Sequence, residues 1–180
     1  MTIETLIAAV LPPDGPTDPF NGPWGPIEVE LGAELPPDYK DFARLYGCGY
    51  FLGYLNIAIP GARYGLPLEQ FVPETSRGFA ALRDARYSFW PIAGGLLPFG
   101  SSENADYLFW LTAGAPETWR IVVWSRGSLV EFEAFDCDLT GFLAGLVTGK
   151  IRPDAFPDGL VACDPVFAPN SSSAAQDITP

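Results

Sequence analysis

Residues 35–53 read LPPDYKDFARLYGCGYFLG, which predicts a helix followed directly by a strand. Prolines stand where a helix can begin, Asp38 and Asp41 oppose the positive end of its dipole, and Gly47 can end it. The residues that would form its buried stripe lie at helical spacing: Tyr39, Phe42, Ala43 and Tyr46. The mostly apolar segment 50–59 then predicts a strand.

The residues before this stretch predict a short helix, a loop and a strand. The helix rests on four apolar residues at i, i+3, i+4 and i+7, which are Ile3, Leu6, Ile7 and Val10. Prolines and glycines punctuate residues 11–26 and predict an irregular loop. Residues 27–31 alternate apolar and acidic side chains, a pattern typical of a short edge strand.

The residues after it predict a helical segment at 66–87, a three-stranded meander and a final helix. The strands of the meander are predicted at 106–112, 119–124 and 129–135. Apolar residues at helical spacing predict the final helix at 139–147, and Gly149 can end it. This order of elements indicates the α+β class.

A chain of 180 residues has the length of one domain. We predict a single α+β domain over residues 1–152, which includes the N-terminal helix and the loop. Its centre would be a mostly antiparallel sheet of about four or more strands with helices packed around it. Residues 153–180 lack periodicity, so we predict an extended C-terminal tail that is partly disordered, above all over residues 168–180.

The sequence contains no histidine. Ser-His-Asp and Cys-His catalytic groups and His-ligated metal sites are therefore excluded. Cys48, Cys137 and Cys163 lie far apart, and none has a Lys or Arg adjacent in sequence, so we expect reduced structural thiols. We predict no cofactor and no metal.

The N-terminus has no cationic segment and reaches Pro12 too early for a signal peptide. No apolar run approaches the roughly 18 residues that a transmembrane helix needs. We therefore expect a cytoplasmic protein that does not associate with membranes.

The net charge of −12 is concentrated at the two ends of the sequence. Residues 1–39 carry −7, residues 40–130 carry +1, and residues 131–180 carry −6. Such a chain repels nucleic acid and anionic membranes, so we expect a basic protein as its partner. The alternative is that the negative charge only aids solubility.

Two glycine-rich segments suggest nucleotide binding but do not fit it. The segment 47–53 lies after a helix and before a strand, which is the reverse of a dinucleotide loop, so a helix end and a tight turn explain it better. The segment 145–151 lacks one spacer residue and the Ser or Thr of a P-loop, and it follows a helix. We reject both as phosphate sites.

Two other patterns have a structural and a functional interpretation. Glu131 and Glu133 lie about 6.5–7 Å apart on one strand face, near the spacing of inverting glycosidase carboxylates. Because neighbours on one strand project in parallel, a solvated or partner-binding face fits better than catalysis. Aromatic residues in the meander could stack bases, but acidic neighbours make core packing the better interpretation.

Three segments resemble the SUKH superfamily, the group related to the yeast Smi/Knr cell-wall regulators. Residues 35–51 resemble its L-P-x-x-Y…Y-G-G helix-to-strand signature. Residues 97–110, LPFGSSENADYLFW, are similar to its P-F-G…G-D segment, which leads into a strand. Phe135 and residues 139–147 resemble its final helix, so the resemblance covers roughly residues 25–151. Ala105 stands where the family has a glycine, and residues 138–142 lack the usual serine.

The resemblance implies an α+β fold without established catalysis. Bacterial members include immunity proteins that bind and neutralise a cognate toxin, often a nuclease, whereas eukaryotic relatives act as interaction hubs. A nuclease must present a basic surface to its substrate, and an acidic protein can occupy that surface. The leading hypothesis is therefore an immunity protein that acts as a monomer or weak dimer. The alternatives are a regulatory or scaffold protein unconnected with toxins and, more remotely, a carboxylate-dependent hydrolase.

The candidate partner-binding residues are acidic side chains expected on the surface. They are Glu28, Glu30, Glu103, Asp106, Glu131, Glu133, Asp136 and Asp138. Each has a structural alternative as a solvated edge residue or a helix cap, and for Asp106 in particular a structural role is the alternative. We predict no catalytic residue.

Overall fold

A seven-stranded antiparallel sheet forms the centre of the described structure. The structure is a computed structural model that describes residues 3–80, 86–127, 131–160 and 166–170. The helices are α1 Ile3–Ala9, α2 Trp24–Leu31, α3 Pro37–Leu45, α4 Leu68–Phe79, a 3-10 turn at Pro116–Thr118, and α5 Leu139–Val147. The strands are β1 Gly49–Phe51, β2 Leu55–Ile57, β3 Leu96–Ser102, β4 Tyr107–Leu111, β5 Arg120–Trp124, β6 Phe132–Phe135 and β7 Phe167–Pro169. Their order across the sheet is β6-β5-β4-β3-β2-β1-β7, which confirms the predicted α+β class with an antiparallel sheet.

Both faces of the sheet are covered, which explains why β4 reads as a continuous apolar run. Leu108 and Trp110 point into the main core, which helices α1, α3 and α5 share, whereas Phe109 belongs to a second cluster on the other face. That second cluster contains Phe79, Phe89, Leu96, Phe109, Val122 and Phe132. Burial of apolar side chains on two faces gives this sheet two hydrophobic cores to stabilise it.

Helix α3 and its exit confirm the interpretation of the opening stretch. The four predicted stripe residues are all buried, at 0–1% exposure. Gly47 follows the helix with a φ of 63°, which glycine adopts at little cost. A Cβ on Gly47 would collide with the carbonyl oxygen of Thr17, because Cys48 N–H donates to that same oxygen at 2.7 Å. The close approach of two chain segments therefore explains Gly47, and phosphate binding is not needed to explain it.

The predicted edge strand at residues 27–31 is wrong, because these residues lie in helix α2. Leu31 is buried and Trp24 and Ile27 are half-buried, so the buried stripe follows helical spacing, while Val29 is 83% exposed. Gly32 ends the helix at a φ of 70°, with its N–H bonded to Val29 O. The alternation of apolar and acidic residues at 27–31 is the same pattern that a strand would show. Because helix α2 begins at Trp24, the predicted loop ends at residue 23 instead of 26.

The predicted single strand at residues 50–59 is a hairpin of β1 and β2. Leu52 and Gly53 have φ values of 55° and 58°, so both central turn residues are left-handed, as in a type I′ turn. Tyr54 N–H donates to Phe51 O at 2.9 Å and closes the turn. A leucine in the first left-handed position gives no sequence signal for such a turn.

Strand β3 was not predicted, although it lies between β2 and β4. It contains Pro98 and Gly100, two residues that weaken a strand prediction. The pairing with β4 shifts register between these two residues, so a bulge accommodates the proline. A Cβ on Gly100 would lie 2.6 Å from Asn56 O, and the close approach of β2 explains the glycine.

The C-terminal part of the chain returns to the sheet. Strand β7 pairs with β1, and Phe167 packs on Tyr46 and Phe51 with ring centroids 5.4 Å and 4.9 Å apart. The expectation of disorder from residue 168 is therefore wrong for 168 and 169, while 171–180 lie outside the described residues. Strand β7, the last strand, lies beyond residue 152, the predicted end of the domain.

The other predicted elements agree in place, and α5 also agrees in its bounds, whereas most of the others are shorter. Helices α1 and α5 and strands β4 and β5 lie where the spacing indicated, whereas α4 spans residues 68–79 of the predicted 66–87. Residues 81–85 of that segment, and 129–130 of the predicted third meander strand, lie outside the described residues. Over the part of the chain that is described, no helix has the length and apolar content needed to cross a membrane.

The Gly49→Ala variant is expected to be less stable than the wild type by about 1–3 kcal/mol, as in other overpacked sites. A Cβ at Gly49 would lie 2.5 Å from Ala168 O and would also collide with the Phe167 ring, which forces β7 away from β1. Urea unfolding followed by circular dichroism measures the change.

The matched control is Gly25→Ala in helix α2, where a Cβ meets no atom within 4 Å. Because Gly25 precedes Pro26, whose ring disfavours a helical residue with a Cβ before it, the gain in helix propensity is offset, and the expected change is less than about 1 kcal/mol. Equal stabilities of Gly49→Ala and Gly25→Ala would contradict the close packing of β7 on β1.

Candidate protein-binding surface

Three turns of the sheet meet at one end, which we call the turn end. They are the β1–β2 turn at 52–54, the β3–β4 turn at 103–106 and the β5–β6 turn at 125–131, of which 128–130 lie outside the described residues. The antiparallel register brings them together, because the pairs Phe51–Leu55, Ser101–Tyr107 and Trp124–Phe132 all lie next to these turns. Residues far apart in sequence therefore share one end of the sheet.

The Asp106 carboxylate binds all three turns together. Its Oδ2 accepts hydrogen bonds from Tyr54 OH at 3.0 Å and Ser102 Oγ at 2.7 Å. Its Oδ1 accepts from the backbone N–H of Arg126 at 3.1 Å. Asp106 is only 3% exposed, so these bonds compensate for the loss of water around a buried charge.

The residues before Asp106 complete this network. Asn104 Nδ2 donates to Tyr54 OH at 3.1 Å, so the tyrosine hydroxyl both accepts and donates. Burial raises the pKa of Tyr54, the side-chain interactions with Ser102 and Asn104 oppose that rise, and the neighbouring Asp106 adds to it. Ala105 has a φ of 62°, a left-handed conformation that costs an L-residue about 1–2 kcal/mol. Glycine at this position would avoid that strain.

Three of the candidate acids surround the Asp106 network. Glu103 is exposed in the β3–β4 turn, and it raises the pKa of Tyr50 in addition to the larger effect of burial. Glu131 is exposed and accepts from Trp124 Nε1 at 3.3 Å. Glu133 is half-buried, and its Oε2 accepts from the backbone N–H of Asp154 at 2.9 Å.

A polar pocket of about 540 Å³ opens at the turn end. Its lining includes Asp106, Asp154, Asn104 and Arg126. Asp154 belongs to the predicted tail, and Arg126 is not among the predicted site residues. No spacing signal could have indicated them, because Asp154 reaches this end only through the chain segment that follows α5.

Glu28 and Glu30 lie elsewhere, on helix α2. Glu28 is bound internally, since it accepts from the N–H of Leu35 at 2.8 Å and pairs with Lys40 Nζ at 2.6 Å. Burial opposes ionisation of Glu28, but these two groups lower its pKa overall. Glu30 is exposed and borders a groove between α2 and α4.

Asp136 and Asp138 lie at the opposite end of the sheet, where β6 leads into α5. Asp136 is exposed, whereas Asp138 caps helix α5 by accepting from Gly141 N–H at 2.8 Å. Asp38 of α3 also reaches this helix start, where its Oδ2 accepts from Thr140 N–H at 3.0 Å. Burial raises the pKa of Asp38, the nearby Asp138 charge raises it further, and the Thr140 hydrogen bond opposes the rise.

The eight candidate acids therefore do not form one surface. The turn end holds Glu103, Asp106, Glu131 and Glu133, while the other four lie on α2 or before α5. The expectation that Asp106 is a surface residue is wrong, because it is buried and its two oxygens bind the three turns.

The two described cysteines have the properties of structural thiols. Burial raises the pKa of Cys48 to about 12 and that of Cys137 to about 11, so both are protonated at neutral pH. Cys163 lies outside the described residues. Across the ranges that the structure describes, no three Cys, Asp or Glu side chains are grouped as metal ligands.

A comparison with protein families finds a match. The SUKH model described as SMI1-KNR4 cell-wall matches residues 24–143, which is 120 of the 180 residues. The match runs from α2 into α5 and includes all three turns of the turn end. No curated protein and no solved structure matches the chain.

The Asp106→Asn variant is expected to be less stable by about 2–3 kcal/mol, because hydrogen bonds to a charged group are worth about 1.5–3 kcal/mol. An amide has one accepting oxygen, so its NH₂ group would face either the Arg126 N–H or the two hydroxyl donors. Chemical unfolding in urea measures the loss.

Tyr54→Phe is the matched control, since it removes one donor and leaves the carboxylate. It is expected to cost about 1 kcal/mol, the usual net value of one hydrogen bond. If Asp106→Asn cost no more than Tyr54→Phe, Asp106 would not hold the three turns together.

The Asp38→Asn variant is expected to raise the free energy of unfolding at pH 7. Because the pKa of Asp38 is raised in the folded state, ionised Asp38 lowers stability above that pKa. Asparagine keeps an oxygen that can accept from Thr140 N–H. As the pH falls through the folded pKa the wild type gains a proton, so the difference should disappear below the unfolded pKa of about 3.9.

Urea unfolding between pH 7 and pH 3 tests this dependence. Asp41→Asn is the control on the same helix, because its pair with Arg44 is on the surface and should contribute less than about 1 kcal/mol. A lower stability of Asp38→Asn at pH 7 would contradict the raised pKa of Asp38 in the folded state. A stability difference that does not change with pH would contradict it as well.

Proposed function

This chain belongs to the SUKH family of SMI1-KNR4 cell-wall proteins, and from that membership we propose that it is an immunity protein that binds and neutralises a bacterial toxin. The observation that carries the proposal is the family match over residues 24–143. The family indicates protein–protein interaction and is generally non-catalytic. A cytoplasmic location and a monomer or weak dimer are parts of the same proposal.

The turn end is the surface that we assign to the partner. It gathers Glu103, Glu131, Glu133 and Asp154 from three separate segments, with Arg126 as the basic residue that lines its pocket. The buried Asp106 network fixes the turns that carry these residues. A rigid surface binds with a smaller entropic cost than one that must become ordered.

The expected partner is a basic toxin domain, and a nuclease is the class that fits best. The net charge of −12 favours fast association with a basic surface through long-range attraction. Three described basic side chains, Lys40, Arg44 and Arg63, already pair with acids of this chain. They therefore contribute little positive charge to oppose such a partner.

We also propose that the chain has no catalytic role. The chain has no histidine, and the two described cysteines are protonated at neutral pH. A hydrolase that uses two carboxylates needs both at one reacting centre. Asp106 lines the turn-end pocket, but hydrogen bonds to three turns already occupy its oxygens.

The test begins with affinity capture from the cells that make the protein, followed by mass spectrometry of the bound proteins. Capture at about 0.1 M salt and at about 1 M salt separates charge-driven from apolar binding, because the Debye length falls from about 10 Å to about 3 Å. The captured partner is then expressed alone and with this chain. Toxicity of the partner alone, and growth when both are present, would support immunity. A non-toxic partner would instead favour the regulatory or scaffold function.

The Glu103→Lys/Glu131→Lys double variant is expected to lose affinity for that partner by about tenfold or more and to lose most of its salt dependence. Both residues are exposed at the turn end, so the fold should persist. Biolayer interferometry at both salt concentrations measures the affinity, and a growth assay measures protection.

The matched control is Glu30→Lys/Glu34→Lys, which changes the net charge by the same +4 at exposed positions on and after α2. It is expected to bind nearly as the wild type does. If the control lost affinity and the turn-end variant did not, the binding surface would lie at α2, and the assignment to the turn end would be wrong.

A further inference from the structure

An aromatic pocket of about 410 Å³ lies between helix α4 and strands β4 and β5. Its walls include four aromatic rings, those of Phe71, Phe79, Tyr107 and Trp124. Tyr107 and Trp124 are half-buried, so part of each ring is accessible to solvent. The volume is within the range of about 300–1,000 Å³ that is typical of small-ligand pockets.

Phe79 stands at a steep angle to two of the other rings, whereas Phe71 lies closer to parallel with Tyr107, at 29° with centroids 6.2 Å apart. Phe79 and Trp124 meet at 89° with centroids 4.8 Å apart, and Phe79 and Tyr107 meet at 81° with centroids 5.2 Å apart. Tyr107 and Trp124 are tilted by 48° with centroids 6.0 Å apart. Aromatic ring faces carry negative charge density and attract cations, so four rings around one pocket favour a cationic group that can reach a ring face.

Carboxylates add negative charge to this pocket. Glu74 of α4 lies in its lining, and Glu131 of the turn end accepts the indole N–H of Trp124 at 3.3 Å. That hydrogen bond engages the edge of the indole and not a ring face. Neither Lys nor Arg is among the residues that line the pocket. The pocket therefore combines aromatic surface with acidic groups.

We propose that this pocket binds an arginine side chain of the partner protein. A guanidinium group is planar, weakly hydrated and suited to stacking on Trp and Tyr, whereas an ammonium group holds its water more strongly. The aliphatic part of the arginine would pack on Leu66, which is 44% exposed at the pocket, and on Phe71. The inference rests on the proposed function, because it names the side chain by which a basic partner would be recognised.

The pocket can be tested without the partner, with N-acetyl-arginine amide as the probe. The readout is the Trp124 indole N–H resonance in ¹H–¹⁵N spectra of the whole chain, assigned from its absence in Trp124→Phe. N-acetyl-citrulline amide has nearly the same shape without the charge, so it isolates the cationic contribution. We expect a saturable shift with the arginine probe and binding about fivefold to tenfold weaker with the citrulline probe.

Two internal controls accompany the titration. The indole N–H of Trp90 donates to Leu31 O at 3.2 Å outside this pocket, so its resonance should not move. The Glu131→Gln variant keeps an oxygen for the Trp124 indole but removes the charge, so it should weaken the arginine probe several-fold and leave the citrulline probe unchanged.

Equal binding of the two probes, or no shift of Trp124 with either, would overturn the inference. These results do not depend on the toxin assay. If the captured partner were not toxic but the arginine probe bound as expected, the pocket would remain an arginine site and the immunity function would be wrong. If the partner were toxic but the probe did not bind, the immunity function would remain and the pocket assignment would be wrong.

Discussion

One buried carboxylate determines the arrangement of the turn end. Asp106 is contacted by Tyr54 from one turn, by Ser102 beside its own turn and by the Arg126 backbone from a third. These groups are separated by up to 72 positions in sequence, so no local preference could align them. The free-energy cost of burying the Asp106 charge is compensated only when all three turns are in place. The surface that these turns form therefore depends on the hydrogen bonds to Asp106.

The position of each carboxylate, and not only the total charge, decides what the acidic residues do. Asp18, Glu28, Asp106 and Asp138 are bound to groups within the chain and stabilise loops, turns and a helix start. Glu103 and Glu131 are exposed at the turn end, and Glu131 also reaches the indole of Trp124. The proposed charge-driven surface and the proposed arginine pocket therefore share one residue, and a single basic partner segment could contact both.

The sequence predicted the elements whose signals are local. Helix α3 follows from its proline start, its stripe and Gly47, and α5 follows from apolar spacing alone. Helix α2 was missed because its acidic residues alternate with apolar ones, although Trp24, Ile27, Leu31 and Gly32 carried the helical signal. Strand β3 was missed because it contains Pro98, which weakens a strand prediction. The bulge that accommodates this proline arises from the pairing with β4, which the sequence of β3 does not show. At the candidate site, the acidic residues could be named from sequence, but their grouping depends on strand register and on the return of residues 151–160.

The central claim is that the turn end is the protein-binding surface, and hydrogen–deuterium exchange of the chain with and without its captured partner tests it most directly. If the turn end binds the partner, exchange should become slower on binding in the peptides that contain residues 52–54, 103–106 and 125–127. Exchange in helix α2 should not change. Protection confined to α2 or to the start of α5, with unchanged exchange at the three turns, would contradict it.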